Sequence, residues 1–208
     1  MLSSHRSSSV SAPRVARAAA LLALFAAGAA QAHPGHEHIA EAAGWAASAT
    51  EGFLHPLTGA DHLCAMIVLG VWSALTSRRA WLAPLSFASV LLLGALLGLA
   101  RVPLPAVEPM IAVSLLVLGL LTATRARLPE VAGAVVAGVF ALFHGHAHGY
   151  ELPETAIALP YIAGFMAATV TLHCVGIAGG LVLRRGSAWL PRLAGLGVAA
   201  YGVVLLAA

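Results

Sequence analysis

After residue 50 the chain resolves into apolar stretches separated by short polar breaks, each near the ~20 residues that a helix needs to cross a bilayer. The pattern predicts six spans: Gly52 to Leu75, Trp81 to Ala100, Ala106 to Thr122, Val131 to Gly149, Ala156 to Leu183, and Ala188 to the C-terminus. The fifth is long and carries Pro160, which predicts a tilt or a kink near one end. Ahead of the spans, Arg6, Arg14 and Arg17 precede the apolar run Ala18 to Ala30, and Ala30-Gln31-Ala32 is a small-x-small cleavage signal. That is the layout of a secretory signal peptide; the run is short for a span, and the alternative is an uncleaved N-terminal anchor. The expected architecture is an all-α polytopic membrane protein. It divides into a signal peptide at 1–32, a histidine-containing outer segment at 33–51 and a bundle of six transmembrane helices at 52–208.

Composition agrees: 60% of residues are hydrophobic, 9% are charged and the mean hydropathy is +0.91, whereas a soluble domain carries about a quarter charged residues. All 11 basic residues are arginines, so no lysine is present to complete a P-loop, and nucleotide hydrolysis by that route is excluded. A sequence pI near 9.4 does not indicate a nucleic-acid partner, because the arginines sit in pairs at span ends, where they act as topology signals. Arg78 and Arg79 follow span one, Arg125 and Arg127 follow span three, and Arg184, Arg185 and Arg192 lie between spans five and six. The other side holds only Arg101, with Glu41, Glu51, Glu151 and Glu154. The positive-inside rule then predicts an inner-membrane protein of a bacterium with both termini outside, in agreement with a cleaved signal peptide.

Several polar residues need a reason to be where they are. On the expected continuous first span, Asp61 and His62 lie ~15 Å down the helix, near the bilayer middle, where an aspartate costs ~2.5–3.5 kcal/mol on insertion scales. His55 and His62 are seven apart and would share a face two turns long, with Pro56 and Gly59 loosening the backbone between them. The end of span four carries Phe143-His144-Gly145-His146-Ala147-His148-Gly149-Tyr150-Glu151. His144 and His148 are i,i+4 neighbours with Cβ atoms ~6 Å apart, the spacing at which one helix offers two ligands to one ion. His146 points elsewhere, as a supporting or access group. Imidazole plus carboxylate suits borderline divalent metals such as nickel, cobalt and zinc. His173 and Cys174 in span five, and Glu108 at the start of span three, are further candidates; a buried histidine is also commonly structural, and a glutamate at a helix start is also explained by the helix dipole. The two cysteines, Cys64 and Cys174, lie in apolar runs and read as free thiols. Beyond the cleavage site, His33, His36 and His38 form a short outer collector or a plain solvated tail.

At these residues the sequence resembles the HupE/UreJ family of hydrogenase and urease accessory membrane proteins. The matching pieces are His55-Pro56-x-x-Gly59-x-Asp61-His62, Phe143-His144-Gly145-x-x-His148-Gly149-x-Glu151, and Gly164, Ala168-Thr169 and Leu172-His173. The resemblance implies import of Ni²⁺ or Co²⁺, with metallochaperones or hydrogenase and urease maturation proteins as partners and no permanently bound cofactor. In that reading His33, His36, His38 and Glu108 collect the ion, and His55, His144, His148 and Glu151 replace its hydration shell. Asp61 and His62 form the central site; His173 and Cys174 serve exit. The principal rival is an accessory scaffold that binds metal without transporting it. An enzyme is not expected: His36-Glu37-His38-Ile39-Ala40 does not complete His-Glu-x-x-His, and no Cys-x-x-Cys-His for haem is present.

Overall fold

Apolar runs of this length become helices in a bilayer because each backbone N–H and C=O must find its partner within the segment. The computed structural model describes residues 44–186 and 188–208, all within the compact unit Ile39–Ala208. The expected signal peptide and the segment with His33, His36 and His38 lie outside the described residues. The described residues form α1 (Trp45–Thr58), α2 (Ala60–Thr76), α3 (Leu82–Leu99), α4 (Val107–Thr124), α5 (Glu130–Tyr150), α6 (Ala158–Leu183) and α7 (Trp189–Ala207). Helices α3 to α7 are each long and apolar enough to span a membrane, whereas α1 and α2 pass that test only together, as a pair bent by 79°. The described residues therefore hold five helices long and apolar enough to span, or six spans if the bent pair counts as one.

That bend corrects the expectation of a continuous first span from Gly52 to Leu75. Pro56 has no N–H to donate inside the last turn of α1. Gly59 then adopts an extended conformation (φ −82°, ψ 106°) that ends α1, while its carbonyl accepts the Leu63 N–H at 2.9 Å to start α2. Asp61 and His62 consequently sit in the first turn of a new helix rather than ten residues down an old one. Pro160, by contrast, falls in the first turn of the 26-residue α6, where its missing N–H interrupts no intrahelical bond.

Close packing is achieved through small residues, as expected where lipid removes the hydrophobic drive between helices. On the α3–α5 seam Gly94 and Gly98 face Gly145 and Gly149, and a Cβ at Gly145 or Gly149 would collide with the carbonyl of Leu91 or Ala95. Gly119 of α4 and Gly195 of α7 make a second seam of this kind. The interior behind the seams holds Met66, Leu69, Phe87, Leu91, Leu115, Leu118 and Phe165. Valines and leucines cover the outside, among them Val131 and Val182, both 72% exposed. An apolar exterior around a small-residue interior is the arrangement a lipid solvent favours.

Candidate functional site

The break at Gly59 puts a carboxylate beside an imidazole. Asp61 Oδ1 accepts the His62 backbone N–H at 2.8 Å and lies 2.9 Å from the His62 ring Nδ1. A carboxylate in a first helical turn is favoured by the N-terminal end of the dipole. Gly59 makes room for it: a Cβ there would stand 3.1 Å from Asp61 Oδ1 and 3.4 Å from His62 Nδ1. The carboxylate can only accept, so the His62 Nδ1 carries a proton, and in the neutral ring the lone pair is on Nε2.

The last two turns of α5 bring His144 and His148 to this pair, both fully buried, at 0% and 1% exposure. The His62 ring lies 4.6 Å from His144 and 4.1 Å from His148, centroid to centroid, so it wedges between the i,i+4 pair. Across the bend, His55 lies 4.9 Å from His148, and its Nε2 is 3.3 Å from Glu151 Oε2. The result is an unbroken row of imidazoles in the order His55, His148, His62, His144. Each end histidine of α1–α2 has a carboxylate beside it. His55 and His62 were expected to share one helical face; they belong to different helices and meet through His148.

Beyond His144 the row reaches Phe87, whose ring is 5.6 Å from His144 and 5.3 Å from His173. His173 is buried on α6, whereas Cys174 is exposed on the outside of the same helix. Cys64 and Cys174 are both free thiols. His146 turns the other way: its Nε2 lies 2.7 Å from the Val102 carbonyl and its ring stacks on Tyr150. It tethers the α3–α4 turn to α5, beside the bond from Arg101 Nη1 to the Tyr150 carbonyl at 3.0 Å. Glu108 is exposed in the first turn of α4, and no described hydrogen bond or ion pair joins it to the row.

Several polar atoms of this region are buried with no protein partner: His62 Nε2, His144 Nδ1, both ring nitrogens of His148, His173 Nε2 and the Tyr161 hydroxyl. Buried polar groups are rarely left so, and each costs about 1–3 kcal/mol of desolvation. The donor set, imidazoles with nearby carboxylates, fits a borderline divalent cation. As the rings stand, no group of three His, Cys, Asp or Glu among the described residues converges on one point. Neighbouring rings meet edge-on or tilted, at 57° to 87°, so ligation calls for side-chain rotation.

Sequence reasoning missed Ser114 and Phe87. Ser114, fully buried on α4, lies 2.8 Å from His144 Nε2. A lone serine in an apolar run is ordinary, since its hydroxyl can bond back to its own helix, and only the packing of α4 on α5 gives it a partner.

A bundle of apolar helices, opened by a broken helix and lined inside by a row of imidazoles of which His62, His144 and His148 are buried, defines a multi-span membrane protein with a polar site within its bundle. Residues 20–205 match the HupE / UreJ protein family, and the chain belongs to that family. It is 45% identical over 158 residues to Protein HupE of Rhizobium leguminosarum bv. viciae, across 74% of this chain and 82% of that one. No solved structure matches. The family is the one that the span-one and span-four motifs led us to expect.

Proposed function

We propose that this protein admits a divalent transition-metal ion, Ni²⁺ or Co²⁺, across the bacterial inner membrane to supply metalloenzyme maturation. The observation that carries this reading is the set of unpartnered imidazole nitrogens on His62, His144 and His148, whose rings pack edge-on or tilted against one another within the bundle. Buried neutral imidazoles gain by ligating a cation what they lose by leaving water. A row of rings that must turn to ligate also favours passing an ion on over holding it.

His55 and Glu151 would receive the ion at the outer mouth, with Glu108 and the outer histidines His33, His36 and His38 collecting it. His148, His62 and His144 would pass it inward. His173 lies beyond Phe87 and would serve the inner step. The inside-negative potential is worth ~2.3 kcal/mol per charge per 100 mV, about twice that for a divalent ion, and no nucleotide site is needed. Hydrogenase or urease maturation proteins would receive the cargo. Uptake of nickel and cobalt into proteoliposomes under an imposed potential tests the proposal, and saturable uptake is expected. Binding without flux for nickel, cobalt and zinc would replace it with the accessory-scaffold reading.

A further inference from the structure

Ser114 makes two short contacts that together decide where one proton sits. Its Oγ donates to the Ile111 carbonyl at 2.6 Å and lies 2.8 Å from His144 Nε2. A serine hydroxyl has a single proton. A carbonyl can only accept, and two oxygens 2.6 Å apart with no proton between them would repel; the hydroxyl proton is therefore committed to Ile111. Oγ can then only accept from His144, so His144 carries its proton on Nε2. Its Nδ1, buried and without a protein partner, is the available lone pair.

We propose that Ser114 is a positioning residue that locks His144 in the Nε2–H tautomer, so that His144 binds the cation through Nδ1. His62 has the opposite arrangement. Asp61 holds its Nδ1–H and leaves Nε2 free, so these adjacent rings offer different nitrogens. His148 has no hydrogen bond at either nitrogen and sits against both His62 and His55. Two rings thus present preset lone pairs while the third stays free to adapt. Asp61 and Ser114 act alike on this view: each holds one ring nitrogen as a donor so that the other is ready for the ion, the second-layer support that metal-binding histidines ordinarily have.

The inference rests on the row being a cation site, but its first test needs no metal. The full chain, labelled with ¹⁵N-histidine and reconstituted in lipid, is examined metal-free by solid-state NMR. The resonance removed by His144→Gln identifies the ring. It is expected to be protonated at Nε2 and bare at Nδ1 in the wild type and in Ser114→Thr, which keeps the hydroxyl. In Ser114→Ala the two tautomers should mix. Titration with Co²⁺ alone should then show affinity lowered about 10–100-fold in Ser114→Ala and close to wild type in Ser114→Thr. A wild-type His144 protonated at Nδ1 overturns the proposal without recourse to any variant. So does a Ser114→Ala protein that keeps both the Nε2–H tautomer and full Co²⁺ affinity. A wild type with the expected tautomer that binds no Co²⁺ overturns the metal reading, and the two failures are thereby told apart.

Discussion

The Asp61 carboxylate would be costly in the middle of a span, but two bonds from His62 and a place in a first helical turn reduce that cost. Its Oδ1 holds the His62 proton, so replacing it with a neutral amide should weaken the hold on the ring without removing a side chain from the row. Asp61→Asn is therefore expected to lower nickel uptake at low metal by about 10–100-fold. His62→Ala, His144→Ala and His148→Ala should lower it at least as far, because each deletes a buried donor. His146→Ala should leave uptake near wild type, since that ring serves Val102 and Tyr150. Radioactive nickel uptake, normalised to inserted protein, is the measurement, and an inactive His146→Ala beside a fully active Asp61→Asn would reverse the assignment. The histidines were legible in the sequence because a titratable group in an apolar run is conspicuous. Ser114 was not, because nothing in its own neighbourhood distinguishes it.

At the scale of elements, the helices follow from apolar run length, and their pairing follows from small residues. The glycines of α5 alternate with its histidines, so the seam against α3 also sets how deep His144 and His148 sit. Gly145→Leu or Gly149→Leu would drive a side chain into the Leu91 or Ala95 carbonyl, an overpacking cost of about 1–3 kcal/mol or more. Both should unfold at lower temperature in detergent. Gly197→Ala should not, because nothing stands within 4 Å of the added carbon. Melting curves that place all three variants together would refute this account of the seam. The break at Gly59 was only half legible: Pro56 and Gly59 marked a loosened turn, but a loosened turn does not specify a 79° bend. The bend is stabilised by where α1 packs, with Gly52 against Tyr161, Gly164 against Ala49, and Ser48 Oγ accepting the Ile157 N–H at 2.9 Å.

For the molecule as a whole, the connections sort to two ends. Glu130 at the start of α5 receives Ser77 Oγ at 3.3 Å and pairs with Arg79 at 3.6 Å, which places the α2–α3 and α4–α5 connections together. Arg78, Arg127 and Arg184 line the same cavity of about 880 Å³. At the opposite end Arg101 lies over the Tyr150 ring. With arginines gathered at one end, the prediction from the positive-inside rule is that this end faces the cytoplasm. In a chain with Cys64 and Cys174 replaced, single cysteines at Ser77 and Thr124 should resist an impermeant outer reagent, while one at Thr155 should react. Strong outer labelling at Ser77 would invert the topology.

The all-helical class, the apolar spanning helices from Leu82 onward, the placement of charge between them and the family were all contained in the order of residues, because the cost of placing a residue in lipid is set largely by that residue and its helical neighbours. The row of imidazoles was not. His55 meets His148, His62 enters between His144 and His148, and Ser114 directs one proton, across separations of 93, 82 and 30 positions respectively. Such contacts depend on a bend in one helix and on glycine seams that bring others to backbone distance. Those are properties of packing between helices, which no single run of sequence carries.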